Sequence, residues 1–212
     1  MDLMAKLRAI LINCSLKSGG EKSSTDAMLE KVATVLRRKG VTCTKVRAVD
    51  AKIKFGVAAS MGRGDGWPKI RGQVLASDII VIGCPIWMGE RSSVCQMVIE
   101  RLDAFLGETN EQGQLPLYNK VGGACVVGNE DGAQHVSSSI VYNLMQLGAT
   151  IPPNCEAYWV GKAGGQDDFV DVGLDDQYVA DLSTAMGNNL FHLARLLKQH
   201  PIPPDGNTEI AG

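Results

Sequence analysis

What this chain of 212 residues lacks narrows its chemistry first. Its six cysteines, Cys14, Cys43, Cys84, Cys95, Cys125 and Cys155, form no C-x-x-C pair, so the spacing a zinc site needs is missing. Most of them stand in or beside apolar runs, where a free cysteine behaves as a small hydrophobe. They read as reduced thiols of a cytoplasmic protein. Neither charge sign is in excess, with 21 Lys and Arg against 23 Asp and Glu. That leaves no electrostatic case for a nucleic acid or an anionic membrane as partner. No apolar run approaches the ~18 residues of a bilayer span. "AILIN" behind Lys6 and Arg8 is too short for a signal-peptide core, and no small-residue cleavage site follows. A hydrolase elbow, G-x-S-x-G, is absent. A phosphatase-type C-x5-R loop is absent too, since six residues separate Cys84 from Arg91.

What is there is an alternation. Apolar runs at 7–14, 41–49, 78–85, 120–128 and 156–161 read as strands. Helical patterns fall between and after them. Residues 25–39 place Met28, Leu29, Val32, Val35 and Leu36 on one face. Ser23 and Asp26 have capping-box spacing, and Gly40 suits the left-handed stop. Helices are also expected at 93–106, through Val136–Leu147 up to Gly148, at 175–198, and in a short piece at about 69–77. Five strands separated by crossovers predict an α/β fold, a doubly wound five-stranded parallel sheet with helices on both faces. No repeat or linker divides the chain, so the expectation is one domain over residues 1–200 with an extended or disordered tail at 201–212. "GRGDGW" (62–67) is not a dinucleotide fingerprint, because no strand leads into it.

Three strand ends carry unusual loops. The first run stops at "CSLKSGGEKSST", where hydroxyl residues Ser23, Ser24 and Thr25 stand together at a helix start. Unpaired amides and the positive end of the helix dipole favour an anion there, and Ser15 and Lys17 face it from the other side. A triphosphate loop fails on glycine spacing. A simply capped helix behind a polar loop stays open as the alternative. The third run ends in "CPIWMGE": Pro85 is expected to stop the ladder, Gly89 to permit a turn, and Trp87 and Met88 to lie in a loop beside a flat ring or merely to cover the sheet end. The fourth ends in "GNEDGA", whose amides form either a nest for partial negative charge or a tight turn. His135 reads as a core or surface histidine. Together the loops suggest a phosphate at one end of a ligand and a flat heterocycle at the other, as in FMN.

On these three loops the chain resembles the flavodoxin-like NAD(P)H-dependent FMN reductase family over roughly residues 7–200. The resemblance implies strand order 2-1-3-4-5 and FMN as cofactor. It places the phosphate on Ser15, Lys17, Ser23, Ser24 and Thr25, with Lys22 as a competitor for the lysine role. It places the ring against Pro85, Ile86, Trp87, Met88 and Gly89 and against Gly128, Asn129, Glu130, Asp131 and Gly132. It implies NADPH or NADH as donor and a quinone, an azo or nitro compound or free flavin as acceptor, with no catalytic side chain beyond the flavin itself. It also implies a homodimer or homotetramer, with Trp67 and the proline-rich tail as elements that reach across. No metal is expected; residues 50–77 lack the cysteines of an iron–sulfur relative. A non-enzymatic electron carrier of flavodoxin type is the alternative.

Overall fold

The computed structural model describes residues 6–208. The expected tail residues 209–212 lie outside that range. Strands β1 (Arg8–Asn13), β2 (Thr42–Arg47) and β3 (Ile79–Trp87) pair in parallel, and β3 also carries a two-residue antiparallel strand, β4 (Glu90–Arg91). β5 (Val121–Gly128) and β6 (Glu156–Val160) complete a sheet of order β2-β1-β3-β5-β6. The five long strands therefore lie in the expected 2-1-3-4-5 order, and β4 is the addition.

Continuous apolar runs are the mark of strands covered on both faces. Along β3, Ile79 and Val81 enter one core cluster and Ile80 and Ile82 the other. Helices α1 (Ser24–Arg38) and α6 (Gln177–Gln199) close the first face; α2 (Trp67–Leu75), α3 (Ser93–Leu102) and α4 (Ala133–Gln146) close the second. The more polar β2 is an edge strand and largely exposed. Ser23 caps α1 by accepting the Asp26 amide at 3.2 Å, and Gly40 reverses the chain after it at φ +83°. One short helix was not expected, α5 (Phe169–Val172).

Two expectations are corrected. Pro85 does not end the ladder: β3 continues to Trp87, with Pro85 opposite Val127 of β5. Gly83 turns its carbonyl to the Cys14 amide, 2.8 Å away on the β1 side. Pro85, two residues on, faces the same way, past the end of β1, so its missing N–H leaves no partner stranded. Trp67 does not reach outward either. It starts α2 with its side chain 0% exposed, packed in the second cluster with Ile70 and Val74.

The loop before it is built inward as well. Asp65 accepts the amides of Met61 (2.9 Å), Trp67 (3.1 Å) and Lys54 (3.2 Å), and Arg101 from α3 at 2.9 Å. Arg101 also donates to the carbonyls of Lys54 (2.7 Å) and Ala58 (2.8 Å). Both charged side chains are wholly buried. Burial pushes the Asp65 carboxyl up, but these donors together hold it well below the usual carboxylate range. At the other end of the chain, residues 201–208 carry no helix or strand. Ile202 donates to Asn119 Oδ1 at 2.7 Å, and Gln114 donates to the carbonyls of Ile202 and Pro203 at 3.2 Å each, so this stretch is spent on the chain's own surface.

Candidate functional site

Strand order reverses between β1 and β3, and in open α/β sheets the crevice beyond the strand carboxyl ends at such a point takes ligands. Here the segments after β1, β3, β5 and β6 meet around one cleft of about 480 Å³. That is within the ~300–1,000 Å³ common for small-molecule sites.

The segment after β1 is held from its outer side. Arg47 Nη1 donates to the carbonyls of Lys17 and Glu21, both at 3.3 Å, and of Ser18. Glu21 accepts both the amide and the hydroxyl of Ser18 at 2.7 Å, which keeps its carboxyl below the ordinary range. Asp50 takes the Gly19 amide at 3.0 Å. Ser15 accepts the Lys17 amide at 3.0 Å. The inner side is left to α1. Its first amides, those of Ser24 and Thr25, have no acceptor within the helix. Ser15, Lys17, Ser24 and Thr25 line the cleft. Ser23 does not; its hydroxyl is occupied by Asp26 and by Asn13 Nδ2 at 3.4 Å. Lys22 lies outside as well, 3.4 Å from Asp171.

The segments after β3 and β5 are locked to each other. Met88 and Gly89 both take positive φ, +55° and +77°, at the corner of the β3–β4 hairpin. Two such residues form the turn whose twist matches paired strands. Glu130 accepts the Met88 amide at 2.8 Å, and His135 meets both Glu90 oxygens at 3.1 Å. Gly132, at φ +121°, passes so close to Gly89 that a Cβ would lie 2.5 Å from the Gly89 carbonyl oxygen. Pro85, Ile86, Trp87, Gly128, Asn129 and Glu130 line the cleft. Met88, Gly89, Asp131 and Gly132 do not; they form the hinge of the lock, and the Met88 side chain is 90% exposed. His135 is a surface residue.

The wall after β6 was missed by the sequence reading. Trp159, Gly164, Gly165, Asp168 and Phe169 line the cleft beside Leu16 and Val127. Trp159 and Phe169 pack 5.6 Å apart, ring centre to ring centre. Asn129 holds this segment through the carbonyls of Asp167 (2.9 Å) and Gly165 (3.4 Å), and the Val170 amide donates to Ser24 Oγ at 3.3 Å. Lys17 Nζ reaches across the cleft to Asp168 Oδ2 at 3.0 Å. The signal was present in "GKAGGQDDF" (161–169), another glycine-rich loop at a strand end with an aromatic on each side.

Beneath the floor, Ser92 donates to the Cys14 carbonyl at 2.7 Å and accepts the Cys95 amide at 3.1 Å, while its own amide meets Cys84 Sγ at 3.3 Å. Contact with Cys95, together with burial, pushes the Cys84 thiol up; contact with Cys14 and burial do the same for Cys95. Neither is a thiolate nucleophile. Among the described residues no cluster of His, Cys, Asp or Glu can hold a metal ion. No helix among them is long and apolar enough to cross a membrane.

Residues 7–163 match the sequence profile of the NADPH-dependent FMN reductases. The chain belongs to that family. Within it, the chain is 31% identical over 209 residues to 8-demethyl-8-aminoriboflavin-5'-phosphate synthase of Streptomyces davaonensis, covering 94% of this chain and 81% of that protein. It superposes on a crystal structure of RosB with the bound intermediate 8-demethyl-8-formylriboflavin-5'-phosphate at a TM-score of 0.86, with 31% identity, over 92% of this chain and 82% of that one. It is also 39% identical over 199 residues to the divalent metal cation transporter MntH of Mycobacterium bovis; the match spans 91% of this chain but 29% of the transporter's length. A flavone reductase shares the fold at TM-score 0.63 and 14% identity, over 93% of this chain and 66% of that one. This member of the FMN reductase family thus places the family's strand-end loops, and a fourth segment after β6, around a single cleft.

Proposed function

We propose that the cleft binds riboflavin 5'-phosphate and that the protein is an NAD(P)H-dependent oxidoreductase, passing electrons from a reduced nicotinamide to a small acceptor such as a quinone, an azo or nitro compound or free flavin. The observation that carries this reading is the pairing within one cleft of two unlike ends. At one end lie Ser24 and Thr25 with the uncommitted α1 amides, flanked by the segment of Asp168 and Phe169; at the other lie Trp87 and the stretch 128–130. The donor set fits a phosphate monoester, and the apolar walls fit a fused ring. When bound, the flavin supplies the two-electron chemistry, and the protein supplies orientation and electrostatics.

The residues present have clear tasks. The α1 amides with Ser24, Thr25 and Ser15 bind the phosphate, and Lys17 neutralises part of its charge. Trp87 and Trp159 orient the ring and exclude water from its edges. The backbone amides at Asn129 and Glu130 donate toward the side of the ring that gains negative charge, as an oxyanion hole does. No acid or base side chain is required. Six unpaired cysteines support a reducing cytoplasmic setting. A homodimer or homotetramer is the proposed assembly, since Trp87 and Met88 remain half or more exposed at the mouth of the cleft.

The test is anaerobic reconstitution with FMN. The flavin band should bleach with NADPH or NADH and recover on adding a quinone. Bleaching by dithionite but by neither nicotinamide leaves an electron carrier instead. A second reading rests on the 31% identity and 0.86 TM-score to the flavin-phosphate synthase: the flavin phosphate is itself modified at its ring. Mass analysis of flavin recovered after turnover separates the two, because an oxidoreductase returns FMN unchanged.

A further inference from the structure

Lys17 lines the phosphate end of the cleft, yet its ammonium is already matched by a carboxylate, that of Asp168, 3.0 Å away. Asp168 lines the same cleft and belongs to the segment after β6, not to the loop that holds Lys17. Both side chains are 45% exposed, so the pair can open without unfolding anything. A phosphate dianion arriving between Lys17 and the α1 amides meets this carboxylate twice over. It must displace Asp168 from Lys17, and it then sits beside a like charge. The neighbouring pair, Lys22 with Asp171, has the same signs but lies outside the cleft lining.

Resting on the flavin-phosphate reading above, we propose that Asp168 is an internal competitor for the ligand's phosphate. Paired with Lys17, it weakens the hold on a phosphorylated flavin, so the flavin exchanges with solution instead of staying bound through many turnovers. The residue thus sets the selectivity of the cleft between phosphorylated and unphosphorylated flavin. It acts against the phosphate, while Ser24 and Thr25 act for it. The segment that carries Asp168 stays tethered meanwhile, through Asn129 to Asp167 at 2.9 Å and through Val170 to Ser24 at 3.3 Å. Displacement therefore needs only a side-chain movement.

Quenching of flavin fluorescence measures the test, with FMN and riboflavin as separate probes on the full chain. Asp168→Asn should bind FMN about three- to tenfold more tightly than the wild type, the scale of one exposed ion pair plus one nearby like charge. Its riboflavin affinity should stay within about twofold, and FMN release in stopped flow should slow in proportion. The gain should shrink in 1 M salt, where the screening length falls to about 3 Å. Asp171→Asn, which removes an equal charge outside the cleft, should change FMN affinity by less than about twofold. Asp168→Asn that binds FMN no better than wild type, or that tightens on both flavins alike, overturns the proposal. A wild-type protein that binds neither flavin removes the functional reading and this proposal together; one that binds both, with Asp168→Asn unchanged, removes the proposal alone.

Discussion

The two ends of the cleft are fixed by different physics. The end formed after β3 and β5, which the proposed reading gives to the flat ring, is locked by Gly132 against Gly89, by the Met88 amide on the Glu130 carboxylate and by two positive-φ residues in one turn. The end formed after β1 and β6, which the proposed reading gives to the phosphate, is bridged by the ion pair of Lys17 with Asp168, with Lys22 and Asp171 paired just outside the cleft, all four side chains 45% exposed or more. Backbone contacts this close have no alternative arrangement nearby, whereas exposed ion pairs cost almost nothing to open. Under the proposed flavin reading, the rigid half is the one that would fix a ring. The yielding half is the one that the proposed reading gives to an exchanging phosphate.

Three measurements break or sharpen this contrast. The largest effect is expected from Gly132→Ala, which forces a Cβ toward the Gly89 carbonyl in a backbone conformation at φ +121°. A cost of about 3 kcal/mol is expected. In thermal unfolding that is a fall in Tm of roughly 6–12 °C for a chain this long. An unchanged Tm would mean the two ring-end loops are not locked. Next comes Glu130→Gln, which keeps an acceptor but removes its charge. The loss should be about 1 kcal/mol, read as roughly fivefold faster hydrogen exchange at the Met88 amide. At the phosphate end, Lys22→Met should lower stability by less than about 0.5 kcal/mol, within about 2 °C in Tm. A larger drop would place real stability in the pair and erase the contrast.

A separate prediction, away from the cleft, concerns acid. Glu30 of α1 has its carboxyl drawn down to about 2, chiefly by hydrogen bonding from Arg37 and also by Lys45, against the cost of burial. A carboxyl whose folded value lies below the unfolded one stabilises at neutral pH, and that contribution is lost as pH falls. For Glu30 the window runs from about 4.5 down to about 2. Glu30→Gln should therefore unfold less steeply with acidification across that window, as followed by far-ultraviolet circular dichroism.

Much of the architecture was legible because the physics is local. Doubly covered strands demand unbroken apolar runs, and 78–85 and 120–128 have them. Ser23 and Gly40 mark the ends of α1 by their own chemistry. Ten of the fifteen expected site residues meet in the cleft, since loops at neighbouring strand ends converge whatever their detail. The rest depended on distant geometry. Pro85 reads as a ladder stop unless one knows that β1 has ended on the side it faces. Trp67 in a glycine-rich loop reads as exposed unless Asp65 and Arg101 are known to fold that loop inward. Asp168 and Phe169 lie in the segment after the last strand, and although that strand's place beside β5 was expected, the fold of the segment back over the cleft is set by contacts distant in sequence, such as Asn129 on Asp167. That Lys17 lines the cleft and Lys22 does not follows from how the loop after β1 meets the wall after β6.

The buried pair of Asp65 and Arg101 has an evolutionary corollary. Each side chain alone would be an uncompensated charge in the core, at a cost of about 3–5 kcal/mol, and losing both would also strand the three amides and two carbonyls of the loop that they hold. Across descendants of this sequence the two positions should therefore mutate in concert. A lineage that has lost one partner should have lost the other, and should have rebuilt the excursion at 52–66 along a different path.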